Sequence, residues 1–218
     1  YFALAATALG TAVHAQSDST VLPAVTVYSP RVANQTPVAT FAMPVSALRF
    51  EPRVDIQPRN FAEGQADVTI RGGIFENSGF KLGALTLYDP QTGHYLAEIP
   101  VAPAMLTAPS ILTGAENAFG VLNATAGSVG YGWRRIRNGG AAGVGAGEYG
   151  LLEGEFYQGY TKDVPRLGGE FGVDVAWAHS ESNGSIPNGD HLLNRANARI
   201  QFARGKAQTD LFIGYQEK

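Results

Sequence analysis

The residues able to do chemistry are few and widely spaced. Four histidines, His14, His94, His179 and His191, show no spacing suited to a shared metal. The chain has no cysteine, which excludes disulfides, thiolate-bound zinc and thiol catalysis. No Ser/His/Asp arrangement is visible. Gly145-Ala-Gly-Glu-Tyr-Gly150 spells GxGxxG, but a dinucleotide turn must open a helix and no helical period follows. Asn123-Ala-Thr125 and Asn183-Gly-Ser185 match the glycosylation triplet, which has meaning only on a eukaryotic secretory route. Asp89-Pro-Gln-Thr-Gly-His94 gathers polar side chains, with Pro and Gly placed for a turn. This inventory reads as a non-enzyme with no cofactor and no bound metal.

The elements say more. In Leu167-Gly-Gly-Glu-Phe-Gly-Val-Asp-Val-Ala-Trp-Ala178, Leu167, Gly169, Phe171, Val173, Val175 and Trp177 share one side of an extended chain. Glu170, Asp174 and small residues share the other. Apolar outward, polar inward and aromatic near its end, this suits a strand of about 9–11 residues in a transmembrane barrel wall. The same alternation suits one strand of a soluble sandwich, so the neighbours must decide. Strand-like runs occupy residues 128–136, 147–161, 167–178, 194–203 and 209–216, with no helical period between them. Ala196, Ala198, Ile200 and Phe202 alternate with Asn197, Arg199 and Gln201; Leu211, Ile213 and Tyr215 alternate with Asp210, Phe212 and Gly214. Arg204-Gly-Lys206 is a tight connector, whereas residues 180–193 are long, polar and Gly-rich. Short turns at one end and long loops at the other belong to outer-membrane barrels.

Composition agrees. The chain has 218 residues, a net charge of −3, only 16% charged residues and 27 glycines. Mean hydropathy is −0.06 and pI is about 5.8. No apolar window approaches the ~18 residues of a helical span. The weak net charge argues against nucleic acid as a partner.

Residues 1–15 close on Val13-His14-Ala15 and read as the tail of a signal peptide. Val21-Leu-Pro-Ala-Val-Thr-Val-Tyr-Ser-Pro-Arg31 is β-prone and bracketed by prolines, with polar linker around it across residues 16–35. It suits either strand addition to a partner's sheet edge or an edge strand of the following domain. Residues 36–127 hold short apolar runs broken by Gly, Pro and Asn, the pattern of a small α+β unit. Within it, residues 68–73 read as a strand entering a Gly turn and residues 82–88 as a second strand. Residues 107–121 read as a short helix that Gly120 ends.

Together these features resemble the TonB-dependent outer-membrane receptors. Thr20-Val-Leu-Pro-Ala-Val-Thr-Val-Tyr-Ser-Pro-Arg31 is similar to a TonB box. Ala66-Asp-Val-Thr-Ile-Arg-Gly-Gly73 is similar to a plug strand and turn. Asp89-Pro-Gln-Thr-Gly-His94, with residues 96–100, resembles the apical plug loop of the branch holding cobalamin and iron-chelate receptors. Leu112-Thr-Gly-Ala-Glu-Asn-Ala-Phe-Gly-Val-Leu-Asn-Ala-Thr125 resembles the last plug segment. Two departures stand out. Leu82-Gly83 replaces the family's Asp-Gly pair, and Ala108-Pro-Ser-Ile111 replaces a strand whose Arg and Glu normally latch plug to barrel.

The resemblance implies an α+β plug domain followed by the first strands of an antiparallel transmembrane β-barrel, mainly β overall, with residues 128–218 as a partial wall. Five strands fall short of the eight of the smallest such barrels, so the chain reads as cut at both ends. Implied partners are TonB of an inner-membrane energising complex, a small-molecule or metal-chelate ligand, and outer-membrane lipid. Val25, Thr26, Val27 and Tyr28 would pair with TonB by strand addition. Asp89, Gln91, Thr92 and His94 would face the ligand, unless the loop is a plain turn. Arg71 would form a buried plug–barrel ion pair with Glu153 or Glu155. Two other classes compete: a secreted all-β adhesion or binding protein, and a non-energised porin-like channel.

Overall fold

The computed structural model describes residues 43–49, 51–59, 65–122 and 124–218. Residues 1–15, expected to be the tail of a signal peptide, and Val25, Thr26, Val27 and Tyr28 lie outside the described residues. Chain order within them is a short 3-10 turn at Pro44–Leu48, strands β1 (Val54–Pro58) and β2 (Ala66–Ile70), then β3 (Ser78–Leu82) and β4 (Leu85–Leu87). There follow β5 (Ser110–Leu112), a 3-10 segment at Gly114–Phe119 and β6 (Gly127–Tyr131). Five longer strands complete the chain: β7 (Gly139–Ala146), β8 (Leu152–Val164), β9 (Gly169–Ser182), β10 (His191–Arg204) and β11 (Ala207–Glu217). The helical content among the described residues is 3-10, in pieces of six residues or fewer.

The N-terminal unit is built from two small sheets. β1 and β2 pair antiparallel, Val54 opposite Ile70. Period-2 alternation buries Ala66, Val68 and Ile70 and leaves Asp67 and Thr69 at the surface. β2 ends in the expected turn: Arg71 and Gly72 both take positive φ, 54° and 71°, and the Gly73 N–H returns to the Ile70 carbonyl at 3.0 Å. The second sheet runs β4-β3-β6-β5, with β3 and β6 parallel and the outer pairs antiparallel.

Residues 82–88, expected as one strand, instead fold as a hairpin. Gly83 takes φ 58°, its N–H bonds the Tyr131 carbonyl at 2.7 Å, and Leu82 comes opposite Leu85. An apolar run hid a glycine turn. A second correction concerns residues 128–136, expected to open the barrel wall. Gly127–Tyr131 is the central strand of the N-terminal sheet, buried along its whole length. A strand covered on both faces has no polar/apolar alternation to display. The helix expected over residues 107–121 is strand β5 followed by the 3-10 segment, with Gly120 at its end as expected.

The five long strands form one antiparallel sheet in chain order, β7 to β11. At one end, β7–β8 and β9–β10 are joined by residues 147–151 and 183–190; at the other, residues 165–168 and the tight pair Gly205-Lys206 join β8–β9 and β10–β11. β9 and β10 absorb residues 180–182 and 191–193, so the long connector is shorter than the sequence suggests. β7 reads Gly-Gly-Ala-Ala-Gly-Val-Gly-Ala and escaped sequence reading because such residues carry no pattern.

The two faces of this sheet differ as the alternation requires. Phe156, Tyr160, Phe171, Val173, Val175, Trp177, Ile200, Leu211, Ile213 and Tyr215 are exposed on one face. On the other, Asp174, Ala176, Ala178, Ser180, Arg195, Asn197, Arg199 and Gln201 are buried. What buries them is the N-terminal unit: its core of Met43, Val45, Leu48, Ile70, Phe80, Ile99, Met105 and Val129 continues into Ala176 and Leu193 of the sheet. β9 and β10 have 14 residues each, about 45 Å at ~3.3 Å per residue, ample for a tilted crossing of a hydrocarbon layer.

Candidate functional site

The site is the seam between the N-terminal unit and the inner face of the sheet, and one strand organises it. Alternate residues of β10, namely Arg195, Asn197, Arg199 and Gln201, point inward and are each 2–4% exposed. Period 2 puts all four on one row, and the row meets the main chain of two N-terminal segments.

Asn197 clamps the first segment. Its Oδ1 accepts the Ala102 N–H at 2.8 Å and its Nδ2 donates to the Pro100 carbonyl at 2.9 Å. Gln201 clamps the second: Oε1 accepts the Ile136 N–H at 2.9 Å and Nε2 donates to the Arg134 carbonyl at 3.3 Å. Both are amide–peptide exchanges that satisfy groups otherwise orphaned in a dry seam.

Arg199 lies between them. Its Nε and Nη2 fork onto Asp174 of β9 at 3.1 and 2.7 Å, and Nη1 reaches Asp210 of β11 at 3.4 Å. Both side chains of the Arg199–Asp174 pair are 0% exposed. Tyr157 of β8 donates to Asp174 Oδ2 at 3.2 Å, and Gln201 Nε2 donates to Asp210 at 2.7 Å. The Nη1 that meets Asp210 also donates to the Arg134 carbonyl at 2.8 Å, and the guanidinium lies 5.3 Å from the centroid of the Trp133 ring. Trp133 in turn packs on Phe212 of β11 at 5.1 Å. The Arg199 charge is thus met within the wall by two carboxylates across three neighbouring strands. The fork geometry is the strong form of the Arg–carboxylate pair. The N-terminal unit contributes carbonyls, N–H groups and one aromatic face. Two further pairs tie the seam's edges: Lys218 to Glu98 at 2.5 Å and Arg135 to Glu170 at 3.5 Å.

The residues expected to latch the two parts are not the ones found here. Arg71 is exposed at the end of β2, and among the described residues no ion pair joins it to Glu153 or Glu155. Glu153 and Glu155 do face inward on β8, opposite Ser180 and Ala178. The residues that do meet the N-terminal unit, Asn197, Arg199 and Gln201, and the carboxylates Asp174 and Asp210 beside them, were visible as the polar members of alternating strands. What the sequence withheld was register: only pairing Arg199 with Asp174, and Gln201 with Asp210, sets the charges side by side.

Asp89, Gln91, Thr92 and His94 are brought together, in one turn. The Asp89 carboxylate accepts the Gln91 N–H at 2.8 Å and the Thr92 hydroxyl at 3.0 Å, and the Asp89 carbonyl accepts the Gly93 N–H at 3.0 Å. These donors, the Gln91 N–H first, hold the Asp89 pKa below its ordinary value. The His94 ring stacks edge-on to Phe75 at 4.8 Å, with Nδ1 at 3.3 Å from the Thr92 carbonyl. Asp89 and Thr92 therefore build the turn, while Gln91 is exposed on it. Behind the turn, Tyr95 donates to the Glu98 carbonyl at 2.5 Å; burial and then the Glu98 carboxylate raise its pKa.

No protein-family model matches the chain, and no curated protein matches it in sequence. Solved structures do match. The siderophore receptor PirA from Acinetobacter baumannii superposes with a TM-score of 0.52 at 13% identity, over 76% of this chain and 27% of that one. The copper transporter OprC gives a TM-score of 0.46 at 12% identity, over 79% of this chain and 35% of that one. The chain thus spans about a third or less of the length of these proteins. The first likeness is one of fold: a small, mainly β plug seated against the antiparallel strands of a barrel wall.

Proposed function

We propose that the chain belongs to a TonB-dependent outer-membrane receptor that imports a scarce solute, a ferric siderophore or another metal chelate, by energy-coupled movement of its plug. One observation carries this reading. The wall presents Phe171, Val173, Val175 and Trp177 outward while its opposite face grips the N-terminal unit through Asn197, Arg199 and Gln201. A soluble sandwich would cover the outward face with a second sheet. A simple porin would leave the inner face wet.

Each part then has a task. The outward face meets lipid. The plug closes the lumen, and its polar turn, with Gln91 foremost, offers hydrogen bonds to an arriving ligand. Val25, Thr26, Val27 and Tyr28 pair with TonB as an added strand, and force applied there draws on the plug. The reading includes no catalytic residue.

The test is uptake by a Val27→Pro variant. Proline removes a ladder donor and fixes φ, so transport of ferric chelate falls to background while the receptor stays at normal level in the outer membrane. Unimpaired uptake at normal surface level overturns the proposal.

A further inference from the structure

Arg195 is the one inward residue of the β10 row whose charge the wall does not neutralise. It is 2% exposed, yet among the described residues no carboxylate lies within ion-pair distance of it. Its one hydrogen-bond partner there is the thioether of Met43, 3.6 Å from Nη1. Met43 is itself fully buried and opens the 3-10 turn Pro44–Leu48, which the Ser46 hydroxyl fastens by donating to the Met43 carbonyl at 2.8 Å. A thioether is a weak acceptor and cannot repay the desolvation of a guanidinium.

Better partners lie on the same lumenal row. Register sets Arg195 opposite Ala178 on β9, and Ala178 opposite Glu155 on β8. Ala178 leaves nothing in the way, so an arginine can reach over it. On the other side Arg195 is opposite Gln216 of β11, whose Oε1 is buried without a hydrogen-bond partner among the described residues. Glu155 is exposed. Along this row an underused guanidinium faces a carboxylate in solvent two strands away, across Ala178, with an acceptor on its other side, and Met43 occupies the position that draws the guanidinium away.

We propose that Met43 on Arg195 is a release seat: while the plug's first turn is down, Arg195 is held off a carboxylate on its own row, and when that turn lifts, the guanidinium swings across Ala178 to Glu155. The seat makes the Pro44–Leu48 turn the part of the plug that leaves most readily. This rests on the plug-and-receptor reading above, since a turn that never leaves needs no such device.

The absence of cysteine from these 218 residues provides the experiment. Ser46→Cys, a near-isosteric change at a position 0% exposed, introduces the one thiol within them and is made in a receptor whose cysteines elsewhere, if any, are replaced by serine. Its maleimide labelling rate in purified outer membranes, along a urea series, reports lifting of the turn without any need for TonB. Arg195→Met, which gives Met43 an apolar partner, slows labelling about tenfold, and Glu155→Gln slows it about threefold. Combined, they slow it no more than Arg195→Met alone, because both act through one pair. Faster labelling in Arg195→Met, an unchanged rate in Glu155→Gln, or additive effects overturns the proposal. Should Arg195→Met fail to assemble, the exposed Glu155→Gln variant alone decides. Altered labelling with intact energy-independent uptake would sink the receptor reading and leave the seat standing; unaltered labelling with TonB-dependent uptake would do the reverse.

Discussion

Arg199 shows what a buried charge asks of its neighbours. Forked onto Asp174, shared with Asp210 and laid against Trp133, it has all three of its nitrogens hydrogen-bonded. Removing one member strands the other in a dry seam, at a cost of about 3–5 kcal/mol. Arg199→Met and Asp174→Asn should each lower the denaturant midpoint at which the compact, heat-modifiable band is lost, and the double variant should lose less than the two singles summed. Tyr131 makes the opposite kind of prediction. Its phenol is buried with no hydrogen-bond partner among the described residues, and burial, then the nearby Tyr95, raises its pKa above the ordinary 10.0. The neutral form is the folded one, so its contribution is whole below pH 10 and fades as pH climbs past that value. Tyr131→Phe should be neutral or stabilising by about 1 kcal/mol and should soften the alkaline loss of folded protein. The residue types of this site were legible: Asp174, Arg199, Gln201 and Asp210 stood out as polar members of apolar-faced strands. Their pairing was not, because it depends on register between strands joined by turns whose length has to be known to the residue.

At the scale of elements, β9 to β11 were readable because two solvents write opposite demands on alternate residues. Their outward residues bear the reading out: Val175 is 45% exposed and Trp177 47% exposed. A lysine at Val175 discriminates between environments. Facing hydrocarbon near the midplane it costs about 2–4 kcal/mol, whereas on a water-facing strand it costs under about 0.5 kcal/mol. Folding of Val175→Lys into vesicles along a urea series measures the difference. β7 shows where reading stops. Gly139–Ala146 is held in the sheet by main-chain pairing with β8, so its glycines and alanines left no trace in the pattern. β6 failed for the converse reason: covered on both sides, it shows no alternation, and its pairing with β3 and β5 is what assigns it to the plug.

For the molecule as a whole, the proposed function asks that the plug stay put and yet yield. Two amide side chains and one guanidinium of β10 hold Pro100, Ala102, Arg134 and Ile136 by their peptide groups. Each net hydrogen bond is worth about 0.5–1.5 kcal/mol, so the grip is a sum of modest terms, unlike a single plug-to-wall ion pair. Asn197→Ala with Gln201→Ala should loosen the plug without collapsing the wall, seen in planar bilayers as a higher background conductance and more frequent openings. The sequence announced half of this arrangement by lacking an Arg and Glu at residues 108–111, and was silent on what replaced them.

A wall that recognises peptide groups is blind to the side chains attached to them. At Pro100 and Arg134 the plug is free to drift in composition provided each carbonyl stays in place, whereas Ala102 and Ile136 are buried and must keep their size as well as their N–H. Plug and wall can therefore diverge at separate evolutionary tempos, and a plug borrowed from a distant chain should dock here if its backbone follows the same path.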